Sequence, residues 1–355
     1  MVGLVACYTP SRRKAGRVDG AKGSVAMAEV RRYRTRVSDS ALWVGFPLRR
    51  GDVVISTPPK CGTSWMQMLC ALLVFESPEF PRPLTEISPW LDAVNHDFAV
   101  TRATLEAQQH RRFIKTHTPL DGLPFDERVT YVCQGRDPRD VAMSFDAASA
   151  NINPAVRVAE AARAGIDPRK VPTPPADPLE RFWLWADGEF VDDPTGPGVT
   201  LANLVHHVRT FWDRRHEPGV ALFHYNDLLT DLSGQLRRLA TVLAVDVSDR
   251  QVEELATAAT FARMRERADE LAPGVSANLW RSNREFFHSG TSGQWRALLG
   301  PSDVRRYQDR LAELAPPDLA EWLHTGWLGF GSTGREDGTP ADGHVRRPAE
   351  PVTDR

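Results

Sequence analysis

The sequence predicts an α/β fold: one domain built on a central, mainly parallel sheet flanked by helices, with a P-loop-like strand–loop–helix at its start. Three observations predict it. Short apolar runs at Asp52–Ser56, Arg112–Thr116, Val129–Gln134 and Val220–Tyr225 read as buried strands. Segments of helical periodicity alternate with them, as a sheet of parallel strands requires. The first strand runs through a compact turn, Pro58-Pro59-Lys60-Cys61-Gly62, straight into a helix.

That helix is expected over Thr63–Glu76, with apolar residues at Trp65, Met68, Leu69, Leu72 and Leu73. After the third strand, Asp137 has the features of an N-cap, with Pro138 at the first helical position. Helices are also expected over Leu228–Ala244, after the fourth strand, and over Gln251–Leu271. Asn151–Thr200 is rich in Pro, Ala, Asp and Gly and is broken by Phe182-Trp183-Leu184-Trp185; it reads as a cover on the acceptor side of a site, with the alternative that its tryptophans pack the core. Asn278–Gly293 is polar and basic, with paired phenylalanines.

The 355 residues, 41% of them hydrophobic, suffice for one core, assigned to 37–330. Residues 1–36 carry nine Arg or Lys and two acids with little apolar patterning, which predicts a disordered basic arm; Met27 is an alternative start. Residues 331–355 predict a disordered tail. A net charge of −2 argues against nucleic acid as a partner. The four cysteines, Cys7, Cys61, Cys70 and Cys133, form no Cys-x-x-Cys pair, and no apolar run reaches the roughly 18 residues of a membrane span. A cytoplasmic protein with reduced thiols is expected, and a homodimer is compatible with the sequence. No pattern of metal ligands stands out; Asp137 and Asp140 read as helix-start caps.

The turn after the first strand points backbone N–H groups and a positive helix end at one place, which suits phosphate or sulfate. Lys60 adds a charge, Gly62 permits close approach, and Thr63 and Ser64 bring hydroxyls. Lysine precedes the glycine here, which is not the order of the ATP-binding P-loop. A turn without a ligand is the competing reading. Arg136 sits at the exit of the third strand, and Ser144, two helical turns on, falls on the same side. Arg139 reads as a solvated arginine. His117 closes the second strand beside Lys115; a solvated or structural histidine is the plain alternative. His206, His207, His224 and His288 have weaker claims.

Thr57-x-Pro59-Lys60-x-Gly62-Thr63-x-Trp65 resembles the 5′-phosphosulfate loop of the cytosolic type of sulfotransferase, which uses 3′-phosphoadenosine-5′-phosphosulfate (PAPS). The resemblance extends over roughly residues 40–330. Ser88–Asp92 and Gln108–Leu123 are similar to the actinobacterial, especially mycobacterial, glycolipid sulfotransferases. The resemblance implies transfer of a sulfuryl group from PAPS, as co-substrate and without a metal, to a hydroxyl of a small molecule or glycolipid. It implies His117 as base, Lys60 and Lys115 on the transferring group, and the loop Lys60-Cys61-Gly62-Thr63-Ser64 around the 5′-phosphate. Arg136 and Ser144 would hold the 3′-phosphate. Trp65, Thr260, Phe261 and Met264 would border the adenine, and Tyr225 would reach the nucleotide. In His288-Ser289-Gly290 the family's Arg-Lys-Gly has lost both charges, which predicts a weaker grip on the 3′-phosphate unless Arg281 or Arg284 substitutes. Two other readings remain: an ATP-dependent P-loop phosphotransferase, and a nucleotide-binding relative without catalysis.

Overall fold

The computed structural model describes residues 30–163, 165–167, 173–192, 199–275 and 278–331. In chain order the elements are β1 (Val53–Ser56), α1 (Thr63–Phe75), α2 (Leu84–Ile87), α3 (Phe98–Ala107), β2 (Phe113–Thr116), β3 (Thr130–Gly135), α4 (Pro138–Asn151), α5 (Pro154–Arg163) and α6 (Pro178–Ala186). There follow α7 (Leu201–Trp212), β4 (Val220–His224), α8 (Tyr225–Thr230), α9 (Leu232–Val242), α10 (Asp249–Ala258), α11 (Phe261–Glu266), α12 (Ala268–Leu271), α13 (Asn283–Phe286), α14 (Pro301–Leu314) and α15 (Pro317–Gly329).

The four strands form one parallel sheet in the order β2-β1-β3-β4, with Val54 paired to Ile114 on one side and Tyr131 on the other. Both faces are buried. Val54, Ile114, Cys133 and Leu222 enter one hydrophobic cluster; Ile55, Phe113, Val132 and Phe223 enter the other. That is why the strands read as continuous apolar runs rather than alternating ones. Among the described residues no helix is long and apolar enough to cross a membrane.

Several sequence expectations are corrected. The helix expected over Leu228–Ala244 is two, because the Asp231 carboxylate caps the second by accepting from the Gly234 amide. Gln251–Leu271 holds parts of three short helices, interrupted at extended Thr260 and again at Arg267. Arg139 is buried, bonded to Asp137 and packed 3.8 Å over the Trp295 ring, rather than solvated. Trp185 is buried in the core, and Trp183 packs against it with its Nε1–H donated to Asp303 and Arg306 stacked on its ring. Tyr33, within the stretch expected as a disordered arm, is buried, its hydroxyl bonded to Asp121 and 2.7 Å from His206 Nε2. The arm before residue 30 and the tail after 331 lie outside the described residues.

Candidate active site

Three neighbouring parallel strands end on one edge of the sheet and deliver the candidate residues there. The loop after β1 carries Lys60, the end of β2 carries Lys115 and His117, and β3 leads into Arg136. Ligands bind at such edges because loops and helix starts converge on them. Lys60, Lys115, His117 and Arg136 line one cleft of about 640 Å³.

Lys60 and Gly62 both take positive φ, 70° and 98°, and fold the chain tightly into α1. A Cβ at Gly62 would stand 2.3 Å from Gln134 Nε2, so the loop needs glycine there. The N–H groups of Gly62, Thr63 and Ser64 have no acceptor among the described residues, and all three residues line the cleft. They are the orphan donors of a helix start, set to take an anion. Cys61 does not share this role. Its thiol lies in the core, where burial pushes its pKa up to about 12, and its N–H donates to Pro58 O.

The cations around the loop rest on aromatic faces. Lys60 Nζ lies 4.4 Å from the Phe286 ring, Lys115 Nζ 4.6 Å from Trp90, and the Arg136 guanidinium 4.1 Å from Tyr225. Such contacts orient a cation but do not neutralise it. Arg136 donates to Lys60 O and Thr291 O, and its buried Nε has no partner among the described residues. Burial, followed by the charges of Arg136 and Lys115, lowers the Lys60 pKa to about 7. Burial lowers Lys115 to about 8 against the opposing pull of Asp92. Among the described residues no carboxylate forms an ion pair with any of the three. A cluster of this kind is completed by an anion.

His117 is held by Thr57 O, 2.7 Å from Nδ1. A carbonyl can only accept, so Nδ1 carries the proton. Burial, and next the Lys115 charge, hold the ring well below the ordinary histidine pKa and therefore neutral. Nε2 thus presents a lone pair, and no described residue takes it. The ring stands nearly perpendicular to Trp90, centroids 4.9 Å apart. Fully buried Asp92 accepts from the Thr116 and Thr118 hydroxyls, which bracket His117. Trp90 and Asp92 were not legible as site residues. The only signal was their place in Ser88–Asp92, whose backbone pairs beside Lys115.

The other end of the cleft is aromatic. Trp65, Tyr225, Phe261, Met264 and Phe287 line it, with Trp65 and Tyr225 edge to face at 5.1 Å. Ser144 lines it with Arg136, as their spacing predicts, and so do His288, Ser289 and Gly290. A Cβ on Gly290 would meet the Phe261 ring at 2.2 Å, so this glycine lies flat on it. Asp140 fastens the segment by accepting from the amides of Gly293 and Gln294, rather than serving only as a cap. Gln294, which the sequence reading passed over, lines the cleft and donates to Ser289 Oγ at 2.5 Å. Thr260 does not line the cleft; its hydroxyl donates to Thr257 O. Arg281 and Arg284 are exposed and outside the lining. His207 is bonded to Ser56 and His224 lies beside Leu323 O, both buried away from this cleft. Nor do Trp183 and Trp185 line it, whereas α2 and α3 contribute to its lining.

Residues 50–320 match the sulfotransferase domain family. The chain belongs to the sulfotransferase family. It is 45% identical over 312 residues to a glycolipid sulfotransferase of Mycobacterium bovis (strain BCG / Pasteur 1173P2), an alignment covering 84% of this chain and 95% of that one. It is 44% identical, over the same shares, to a glycolipid sulfotransferase of Mycobacterium tuberculosis (strain ATCC 25618 / H37Rv). A retinol dehydratase solved with androsterone and the inactive cofactor PAP shares the fold, with a TM-score of 0.60 at 20% identity over 78% of this chain and 86% of that one. The α/β class and the sulfotransferase resemblance read from the sequence are thus correct.

Proposed function

We propose that this sulfotransferase moves the sulfuryl group of PAPS to a hydroxyl of a glycolipid. The observation that carries the reading is the convergence of Lys60, Lys115 and Arg136, without an ion pair among the described residues, beside a neutral imidazole. PAPS fits this donor set: it brings negative charge at both ends of a purine nucleoside. The amides of Gly62, Thr63 and Ser64 would take the 5′-phosphate, Arg136 and Ser144 the 3′-phosphate, and Phe261 and Trp65 the adenine. PAPS supplies a sulfur whose bond to the bridging oxygen is ready to break.

His117 Nε2 accepts the proton of the acceptor O–H as the oxygen bonds to sulfur. Lys60 meets the charge left on the bridging oxygen, and Lys115 faces the sulfuryl oxygens. Transfer of this type depends mostly on alignment and charge, which these residues provide without a bound metal. Identity to two glycolipid sulfotransferases supports the acceptor class. The buried free thiols of Cys61, Cys70 and Cys133 are compatible with work in the cytoplasm.

Incubation with PAPS and a panel of phenols, sterols, sugars and glycolipids tests the reading. It predicts acceptor-dependent release of 3′-phosphoadenosine-5′-phosphate (PAP), and tighter binding of PAP than of ADP. Metal-dependent transfer from ATP would favour a phosphotransferase instead. PAP binding without turnover on any acceptor would favour a relative that has lost catalysis.

A further inference from the structure

We infer that the arm of the cleft between α2 and α3 is a subsite for a polyhydroxylated ring, a sugar headgroup, which it recognises through hydrogen-bond acceptors. The inference rests on the proposed acceptor side and names what that side selects. On α3, Asp97, Val100, Thr101 and Thr104 face the cleft at the i, i+3, i+4, i+7 spacing of one helix face. A helix whose inward face met an apolar ligand would carry apolar residues there; three of these four are polar.

Their hydrogen bonds show what they have left to offer. Thr101 Oγ1 donates to Asp97 O at 3.1 Å and Thr104 Oγ1 to Val100 O at 2.9 Å. The hydroxyl hydrogens are spent within the helix, and the oxygens keep lone pairs for the cleft. Asp97 Oδ1 takes the amides of Ala99 and Val100, while Oδ2 has no described partner. Asn95, also on the lining, buries its Oδ1 with no partner among the described residues. On the floor Ser88 accepts from Gln67 Nε2 at 2.9 Å, which leaves its own O–H to donate.

The wall therefore offers acceptors in Asp97 Oδ2, Thr101 Oγ1 and Thr104 Oγ1 beside donors on Ser88 and Asn95. A ring with several hydroxyls brings the matching O–H groups. A simple phenol or alcohol has one, which is engaged at His117, and it would leave the acceptors of the wall unmatched. The carboxylates of Glu86 and Asp97 on the same lining disfavour an anionic acceptor at this end. Trp90, in contact with His117 and on the same lining, adds apolar surface beside the wall.

The test compares binding of hexyl β-glucoside and 1-hexanol to the PAP-loaded protein by calorimetry, so the two probes differ only by the sugar. The wild type should bind the glucoside about tenfold more tightly, as two or three hydrogen bonds give. The double variant Thr101→Val/Thr104→Val, close to isosteric, and separately Asn95→Leu, should bring the two affinities close to equality and leave PAP binding unchanged. Equal affinities in the wild type, or a preference retained in both variants, would overturn the subsite. Failure to bind PAP would instead count against the proposed co-substrate. The same two probes on nucleotide-free protein would then decide the subsite by the same criterion.

Discussion

Lys60 makes nucleotide binding depend on pH in a calculable way. In the free protein its pKa is down at about 7, because burial and the charges of Arg136 and Lys115 oppose the ammonium form. A 5′-phosphate against the loop supplies the missing counter-charge and restores that form. Above neutrality the free protein must then take up a proton to bind. The apparent dissociation constant for PAP should therefore rise with pH, approaching tenfold per unit. Between about pH 7 and about pH 9 the charged fraction of Lys60 falls from about one half to about one hundredth, which weakens binding about 50-fold, about 2 kcal/mol.

Calorimetry in buffers of different ionisation heat reads the proton uptake directly. Uptake by Lys60 should grow from about half a proton to about one over that range. Lys60→Arg stays charged throughout and should lose this increment, keeping only whatever Lys115, at about 8, contributes. Lys60→Met should bind weakly at every pH with the same flattened slope. A wild-type affinity that stays level over this range, or an undiminished uptake in Lys60→Arg, would refute the reasoning.

Three further outcomes are expected. Ser289→Lys returns a charge beside the expected 3′-phosphate and should tighten PAP binding about tenfold; an unchanged titration would show that no charge is missing there. Asp92→Asn sets an amide against the Thr116 and Thr118 hydroxyls, so it should cost about 1–3 kcal/mol of stability by denaturant titration and lower kcat with little change in the PAP dissociation constant. A loss of nucleotide affinity equal to the loss of kcat would mean that Asp92 does not act through His117. Gly290→Ala drives a methyl into Phe261 at a φ of 66° and should weaken PAP about tenfold, with a calorimetric value equal to wild type arguing against Phe261 as the adenine platform.

Much of the site was visible in the sequence because its parts are local. A strand end, a turn and a helix start occupy a few residues each, and Lys60, His117 and Arg136 all sit at such junctions. The parallel sheet was visible because strands buried on both faces leave continuous apolar runs. What was hidden depends on distant contacts. Asp92 reads as one more acid until the fold brings Thr116 and Thr118 to it. Trp183 and Trp185 read equally as a cover or as core, because composition does not say which way an aromatic residue faces; here Asp303 and Arg306 hold Trp183 against α14. Tyr33 was lost in a basic stretch, although Asp121 and His206 anchor it. The helix break at Asp231 comes from a side-chain cap and that at Thr260 from one extended residue, and neither disturbs the helical pattern on either side.

The base assignment is tested most directly by single-turnover transfer from labelled PAPS, comparing wild type with His117→Ala and measuring PAP affinity on the same preparations. The imidazole held on Thr57 should be needed for the chemical step alone: the rate falls by at least about 100-fold while PAP binds within about threefold of wild type. A His117→Ala protein that transfers sulfate at the wild-type rate would contradict the account.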